Sequence, residues 1–247
     1  MREPIAQLLT DASKVGSSVT ICGWIRTLRA QKAIAFIEVN DGSSLASMQV
    51  IADTPLQDGL TTGPAISVTR TLAPSPGGKQ AVELKADTIT LFGSAPADTY
   101  PLQKKRHSLE FLRSIAHLRP RTNMHGAVTR IRNRLAYASH TFFHERGYLY
   151  IHTPIITSSD CEGAGELFRL TALDLNHLPK DDAGRVDDTL DFFGRTAYLT
   201  VSGQLNVEAY ACAMSNVYTF GPTFRAENSH TARHLAEFWM IEPELAF

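Results

Sequence analysis

Between Val19 and Leu91 the chain consists of short alternating runs punctuated by Gly and Pro turns, and this pattern constrains the fold more than any other feature. Val19, Ile21, Gly23 and Ile25 alternate with polar or small residues, and Ile34, Phe36 and Glu38 alternate with Ala35, Ile37 and Val39. Successive side chains of a strand point to opposite faces, so each run offers one set to a core and the other to solvent. Asn40-Asp41-Gly42 supplies a turn, Met48–Ala52 a third strand, and Ile66–Thr71 and Val82–Leu91 two more, parted by Pro74-Ser75-Pro76-Gly77-Gly78. Five short strands in the first hundred residues predict a small closed barrel, preceded by a lead-in of one helical turn that ends at Gly16.

The five-stranded oligonucleotide-binding barrel, or OB-fold, is one of the few forms that such a count allows. Beyond it, Ala95–Pro101 (APADTYP) reads as a linker. LEFLRSIAHLRPRT predicts a helix with Leu109, Leu112, Ile115 and Ala116 on one face, ended by Pro120. Val128, Ile131, Leu135, Ala138 and Phe142 recur every three or four residues and predict a longer helix that stops near Gly147, then an irregular strand at Tyr148–Ile151. Net charge is −1, but its distribution is uneven: residues 101–134 hold nine Lys or Arg against the single acid Glu110, and residues 135–247 hold seven basic and fifteen acidic residues. A basic centre suits either a chain that meets a polyanion at one place or a solvated linker and helix face. The resulting expectation is an α+β chain in three regions: a barrel at 1–100, a basic hinge at 101–125 and a second domain at 126–247.

Several chemistries are disfavoured. His140 and His144 lie one helical turn apart, but HTFFH lacks the glutamate of a zinc protease. Gly77-Gly78-Lys79 follows no buried strand and lacks the Ser or Thr of a phosphate loop. Cys22, Cys161 and Cys212 are too few and too scattered for a disulfide framework or a zinc set, which favours a reducing compartment. MREPIAQLLTDASKVG lacks the apolar segment of a signal peptide, and no apolar run reaches membrane-spanning length. A cytoplasmic protein without a membrane partner and without a metal site of its own is expected.

The C-terminal stretch TFRAENSHTARHLAEFWMIEPELAF reads as two apolar strands, Tyr218–Phe224 and Phe238–Phe247, around a polar loop. It resembles motif 2 of the class II aminoacyl-tRNA synthetases, in the form found in the asparaginyl enzymes. GWIRTLRAQKAIAFIEVNDGS resembles the anticodon-binding barrel of the aspartyl and asparaginyl members, and the long helix with its strand and Thr153-Pro154 resembles motif 1, the dimer interface of the class. The resemblance implies ATP, asparagine and tRNA(Asn) as substrates, Mg2+ with ligands mostly further along than Phe247, and a homodimer. It implies that Arg225 is the catalytic residue, neutralising the α-phosphate and the attacking carboxylate, that Glu227, Arg233 and His234 arrange ATP, and that Phe238 stacks on adenine. In Ser159–Arg169, Glu162 would receive the α-ammonium of the amino acid; at the corner LTVSGQLNVEAY, Ser202 and Gln204 would line its pocket and Glu208 would accept from the side-chain amide. On the barrel, Phe36 would stack on an anticodon base, Arg26 would meet phosphate or base, Gln49 a base edge, and Glu83 a third base. Stacking plus charge is how such barrels hold single strands.

Aspartyl enzymes carry lysine in SPQL-x-K, where this chain has Ser202-Gly203-Gln204-Leu205-Asn206-Val207-Glu208. A carboxylate in place of a cation suits an amide and repels aspartate, so asparagine is the expected substrate. Val207 stands where relatives would have glycine, which would set a branched side chain beside the pocket. The Gly-rich motif 3 with its arginine does not occur, so the sequence reads as the N-terminal part of a synthetase. The alternatives are a noncatalytic tRNA-binding fragment, an aspartyl or relaxed Asp/Asn enzyme, and a class II-related asparagine synthetase; the last is disfavoured because the barrel is present.

Overall fold

A computed structural model of the chain describes residues 2–77, 80–86, 88–159, 167–229, 231 and 233–247. It divides into two compact units, Met1–Arg132 and Asn133–Phe247.

The first unit is the expected barrel. Its strands are β1 (Ser18–Ala30), β2 (Ile34–Asn40), β3 (Met48–Asp53), β4 (Ala65–Pro74), β5 (Val82–Ala86) and β6 (Ile89–Gly93), in the order β1-β2-β3-β5-β4-β6 with β1 also paired to β4. Closure therefore rests on β1. Its first half pairs with β4 (Ile21 opposite Val68) and its second with β2 (Leu28 opposite Ile37), and a register shift between Ile25 and Thr27 turns it from one partner to the other. At the crossover a Cβ on Gly23 would lie 2.7 Å from the Asn40 carbonyl oxygen, so only glycine admits β2 this close. The run Val82–Leu91, which reads as one strand, is two: β5 lies parallel to β3, and β6 antiparallel to β4.

Of the alternating residues, Val19, Ile21, Ile25, Ile37 and Val39 are buried, together with Met48, Val50, Ile66, Leu72 and Leu84. Each such side chain contributes about 1.5–3 kcal/mol of burial. A four-residue helix α1 (Ile5–Leu8) adds Ile5 and Leu8 to this core. Its first N–H groups have no helical acceptor, and the β2–β3 turn supplies one: Ile5 N–H donates to Asp41 Oδ2 at 2.9 Å and Ala6 N–H to Ser43 Oγ at 2.9 Å.

The basic stretch belongs to this unit. Arg121 lies 5.1 Å over the Trp24 ring, and Arg130 donates to the Gly42 carbonyl at 2.6 Å. The helix predicted over LEFLRSIAHLRPRT is shorter than its periodicity suggests: α2 covers Leu109–Ser114, capped by Ser108, and the backbone leaves helical geometry at Ile115. Leu112 is buried, whereas Pro120 sits in a separate 3-10 turn. The longer helix α3 (Asn123–His144) forms as expected and crosses from the first unit into the second. Its apolar face is open: Val128 is 49% exposed, Ile131 59%, Leu135 62% and Phe142 49%.

The second unit holds two three-stranded sheets, built from β7 (Leu149–Tyr150), β8 (Ile156–Thr157), β9 (Arg169–Leu170), β10 (Ala197–Leu199), β11 (Val217–Phe224) and β12 (Glu237–Glu244), with α4 (Gln204–Met214) ahead of β11. One sheet has the order β12-β11-β7, the other β8-β10-β9. The terminal hairpin is the expected one, slightly shifted, with Thr219 opposite Glu242 and Thr223 opposite Phe238. His140 serves packing: its Nδ1 lies 2.7 Å from the Tyr218 hydroxyl, and its ring meets Tyr150 and Phe220 edge-on. Val207 does not face a pocket; it is fully buried with Ala211, Val217 and Ile151, so its branched side chain packs α4 onto β11. The acid-rich excursion after β9 is stitched by its own carboxylates: Asp188 binds Arg169 and the Thr196 hydroxyl, Asp191 accepts from the Ala172 N–H at 2.9 Å, and Asp181 pairs with Arg185.

Candidate functional site

Two groups of residues carry the candidate chemistry, one in each unit. On the second, the β11–β12 hairpin brings most of the predicted ATP residues together. Arg225 follows β11 directly, its N–H bonded to the Ala236 carbonyl at 3.0 Å, and its guanidinium lies 5.5 Å from the centre of the Phe238 ring. Cation and ring share one end of the hairpin because Phe238 pairs with Thr223, two residues before Arg225. Further out, His234 Nε2 lies 3.9 Å from Glu227 Oε2, and its Nδ1 meets Ser229 Oγ at 3.0 Å and Thr231 Oγ1. Arg233 is exposed, its N–H bonded to Thr231 Oγ1 at 3.4 Å. A half-buried guanidinium beside an aromatic ring suits a planar base carrying phosphate.

The corner between β10 and α4 differs from expectation. Ser202 is buried, and its Oγ donates to Glu242. The same carboxylate accepts from the Gly203 N–H at 3.1 Å and the Thr219 hydroxyl at 2.7 Å. Glu242 forms part of the wall of a cavity of about 190 Å3, together with Thr153, Thr200, Gly203, Thr219 and Trp239. Gln204 and Glu208 do not line this cavity. They bond to each other, Nε2 to Oε1 at 3.1 Å, and Glu208 is exposed on α4. The carboxylate fixed at the corner is Glu242, while Glu208, expected to accept from the side-chain amide, pairs with Gln204 on the exposed side of α4. Glu242 was detectable in the sequence: on β12 it shares a face with Phe238 and Met240, and a charge on an apolar face is costly unless paired or used. Glu162 lies outside the described residues.

On the barrel, Phe36 and Gln49 project from the outer face of adjacent strands. Phe36 is half-buried, with the Arg29 guanidinium 5.4 Å from its ring centre. Arg26 donates to Asn123 Oδ1 at 2.9 Å, and burial pulls its guanidinium below the ordinary value. Arg29 was not foreseen; its place opposite Phe36 in the β1–β2 register is what sets it over the ring. Glu83 is not available as a reader in this conformation. It is 2% exposed, with its Oε2 held by Gln49 Nε2 at 3.3 Å and Ser75 Oγ at 2.9 Å.

Among the described residues no group of three or more His, Cys, Asp or Glu could hold a metal ion, and no helix is long and apolar enough to cross a membrane.

Comparison with known proteins matches the same two segments. Residues 19–92 fit the OB-fold nucleic acid binding domain, and residues 108–247 the class II tRNA synthetases of the D, K and N group. The asparagine–tRNA ligase of Protochlamydia amoebophila is 61% identical over 240 residues, covering 94% of this chain and 51% of that protein. That of Thermosynechococcus vestitus is 59% identical over 253 residues, covering 100% of this chain and 54% of the relative. The chain thus spans about half the length of the curated relatives it matches. Among solved structures, the asparaginyl-tRNA synthetase of Pyrococcus horikoshii complexed with asparaginyl-adenylate superposes with a TM-score of 0.80 at 22% identity, over 100% of this chain and 53% of that one. The Entamoeba histolytica enzyme gives 0.76 at 24% identity, over 94% of this chain and 51% of that one. Barrel, hairpin and both matched segments agree, and the chain belongs to the class II tRNA synthetases of the D, K and N group.

Proposed function

We propose that this chain carries the anticodon-reading and much of the amino-acid- and ATP-holding part of an asparagine–tRNA ligase. The asparagine carboxylate attacks the α-phosphorus of ATP, forming asparaginyl-adenylate and expelling pyrophosphate; a hydroxyl of the terminal tRNA ribose then attacks the carbonyl and releases AMP. Positioning and charge supply the catalysis. Arg225 neutralises the α-phosphate and attacking carboxylate, Phe238 stacks on adenine, and Glu227, Arg233 and His234 order the outer phosphates and the loop. Magnesium is the expected companion of ATP in this reaction, and no group of three or more His, Cys, Asp or Glu among the described residues could hold it.

The observation that carries the choice of amino acid is Glu242. Its carboxylate, fixed by Ser202, Gly203 and Thr219, gives the cavity a negative wall that tolerates an amide or an ammonium and repels a second carboxylate. Identity near 60% to asparagine–tRNA ligases accords with it. The open apolar face of α3 supports a homodimer. Calorimetry with the sulfamoyl analogues of asparaginyl- and aspartyl-adenylate tests the proposal. The asparaginyl analogue is expected to bind at least about tenfold more tightly, the worth of about 1.4 kcal/mol. Equal binding, preference for the aspartyl analogue, or binding of neither counts against it.

A further inference from the structure

Gly203 opens α4 at the corner, and its backbone angles do not call for glycine: φ is −79° and ψ −8°, values open to any residue. What sets the position apart is space and one hydrogen. A Cβ here would lie 2.8 Å from Thr153 Oγ1 and 3.1 Å from both Cγ2 and Oγ1 of Thr219. The Gly203 carbonyl accepts from the Val207 N–H at 3.1 Å, whereas its N–H is one of the donors that a helix start leaves without an internal partner. That N–H crosses the corner to Glu242 Oε2 at 3.1 Å. The next one, of Gln204, donates to Ser202 Oγ at 3.1 Å, and Ser202 donates in turn to Glu242 Oε1.

A carboxylate offers about four lone-pair positions, shared equally by its oxygens. At Glu242 the Gly203 N–H and the Thr219 hydroxyl, the latter at 2.7 Å, fill both positions of Oε2, and Ser202 fills one of Oε1. The remaining acceptor position is on Oε1, in a group that lines the cavity. We infer that Gly203 is a positioning residue that determines specificity for asparagine. Its N–H holds Oε2 in place, so that Oε1 meets the N–H of a side-chain amide and the charge faces the second carboxylate of aspartate. Glycine serves because one backbone position must give a hydrogen to Glu242 and leave room for Thr153 and Thr219. Proline sets these demands apart from conformation. Its ring fixes φ at about −65°, close to the angle present, but puts carbon where the hydrogen was and drives Oε2 out. This inference rests on Glu242 being the wall that selects the amino acid.

Calorimetry on the 247-residue chain with the sulfamoyl analogues of asparaginyl- and aspartyl-adenylate reads the ratio of the two affinities. Gly203→Ala adds bulk and keeps the N–H, whereas Gly203→Pro adds bulk and removes it. In Gly203→Ala both analogues are expected to bind more weakly, with their ratio within about threefold of wild type, because the hydrogen bond is retained. In Gly203→Pro the ratio is expected to fall by about tenfold or more, the effect of losing a hydrogen bond to a charged group. A ratio within about threefold of wild type in Gly203→Pro, or an equal fall in Gly203→Ala, overturns the positioning role while leaving the reading of Glu242 intact. A wild type that binds the analogues equally, prefers the aspartyl one or binds neither overturns both. A melting curve checks that each variant is folded. Should Gly203→Pro not be, NMR of the wild type decides. The Gly203 amide proton is expected to shift in step with the Glu242 carboxyl carbon as pH is lowered, and an amide that does not follow it contradicts the inference.

Discussion

Replacing Glu242 by glutamine tests whether the corner of the second unit is held by one carboxylate. Three donors converge on it: Ser202 Oγ, the Gly203 N–H and the Thr219 hydroxyl. A glutamine keeps one acceptor oxygen and sets an NH2 group where the second oxygen was, so at least one donor then faces another donor. Hydrogen bonds to charged groups are worth roughly 1.5–3 kcal/mol, and stranding a buried donor costs a similar amount. The Thr219 hydroxyl can rotate to relieve part of the conflict, which brings the expected loss to about 2 kcal/mol. Trp24 and Trp239 are the two tryptophans of the chain, one in each unit, so a Trp24→Phe background makes fluorescence report the second unit alone. With a urea slope of about 1.5 kcal/mol/M, the unfolding midpoint of Glu242→Gln should drop by roughly 1.3 M at unchanged slope. Thr219→Val in the same background should cost less, about 1 kcal/mol, and the double variant less than the sum, because both changes act on one carboxylate. A Glu242→Gln midpoint within about 0.2 M of the parent would refute the idea that this carboxylate organises the corner.

Other outcomes follow from the barrel. Gly23→Ala should destabilise the first unit by about 1–3 kcal/mol, seen in Trp24 fluorescence, since its Cβ would meet the Asn40 carbonyl at 2.7 Å; an unaffected melt would mean that β2 yields. Burial pushes the Asp41 carboxyl up, but hydrogen bonds from Ser43 and the Ile5 N–H outweigh it and hold it below its ordinary value. Stability from such a group is present above the unfolded pKa and is lost as pH falls through the lower folded one, so barrel melting should decline below about pH 4. Asp41→Asn should flatten that acid limb, and an unaltered limb would assign it to other carboxylates. Phe36→Leu should weaken RNA stem-loop binding by about 1–3 kcal/mol by anisotropy, with little effect on folding; equal affinity would remove the ring from the reading face.

Local periodicity carried much of the fold. The β1–β4 runs and α3 were legible because strand alternation and helical spacing recur within a few residues. The same logic misled at Val82–Leu91, where a continuous apolar run hides a change of partner from β3 to β4, and at Ile115, where periodicity continues but the backbone leaves the helix. At the site, Arg225 and Phe238 were legible as a pair because a hairpin register brings them together. Glu242 was detectable as a charge on an apolar face, but its place at the corner was not, because its partner Ser202 is forty residues away in the chain. Glu83 shows the same limit: Gln49 comes from β3 and Ser75 from the turn after β4, and only their convergence turns a surface acid into a buried one. In the excursion after β9 the aspartates tie down backbone N–H groups, as Asp191 does that of Ala172 and Asp181 that of Arg185, which composition does not reveal.

The double pairing of β1 bears on how the chain is made. Every strand that β1 needs lies before Gly93, so the barrel has all its parts once that residue has left the ribosome. Translation of the remainder takes on the order of ten seconds, far longer than a small β-domain needs to fold. Phe36, Arg29 and Gln49 are then in place on a nascent chain, and the barrel is finished before the hairpin that carries Arg225 and Phe238 has been synthesised.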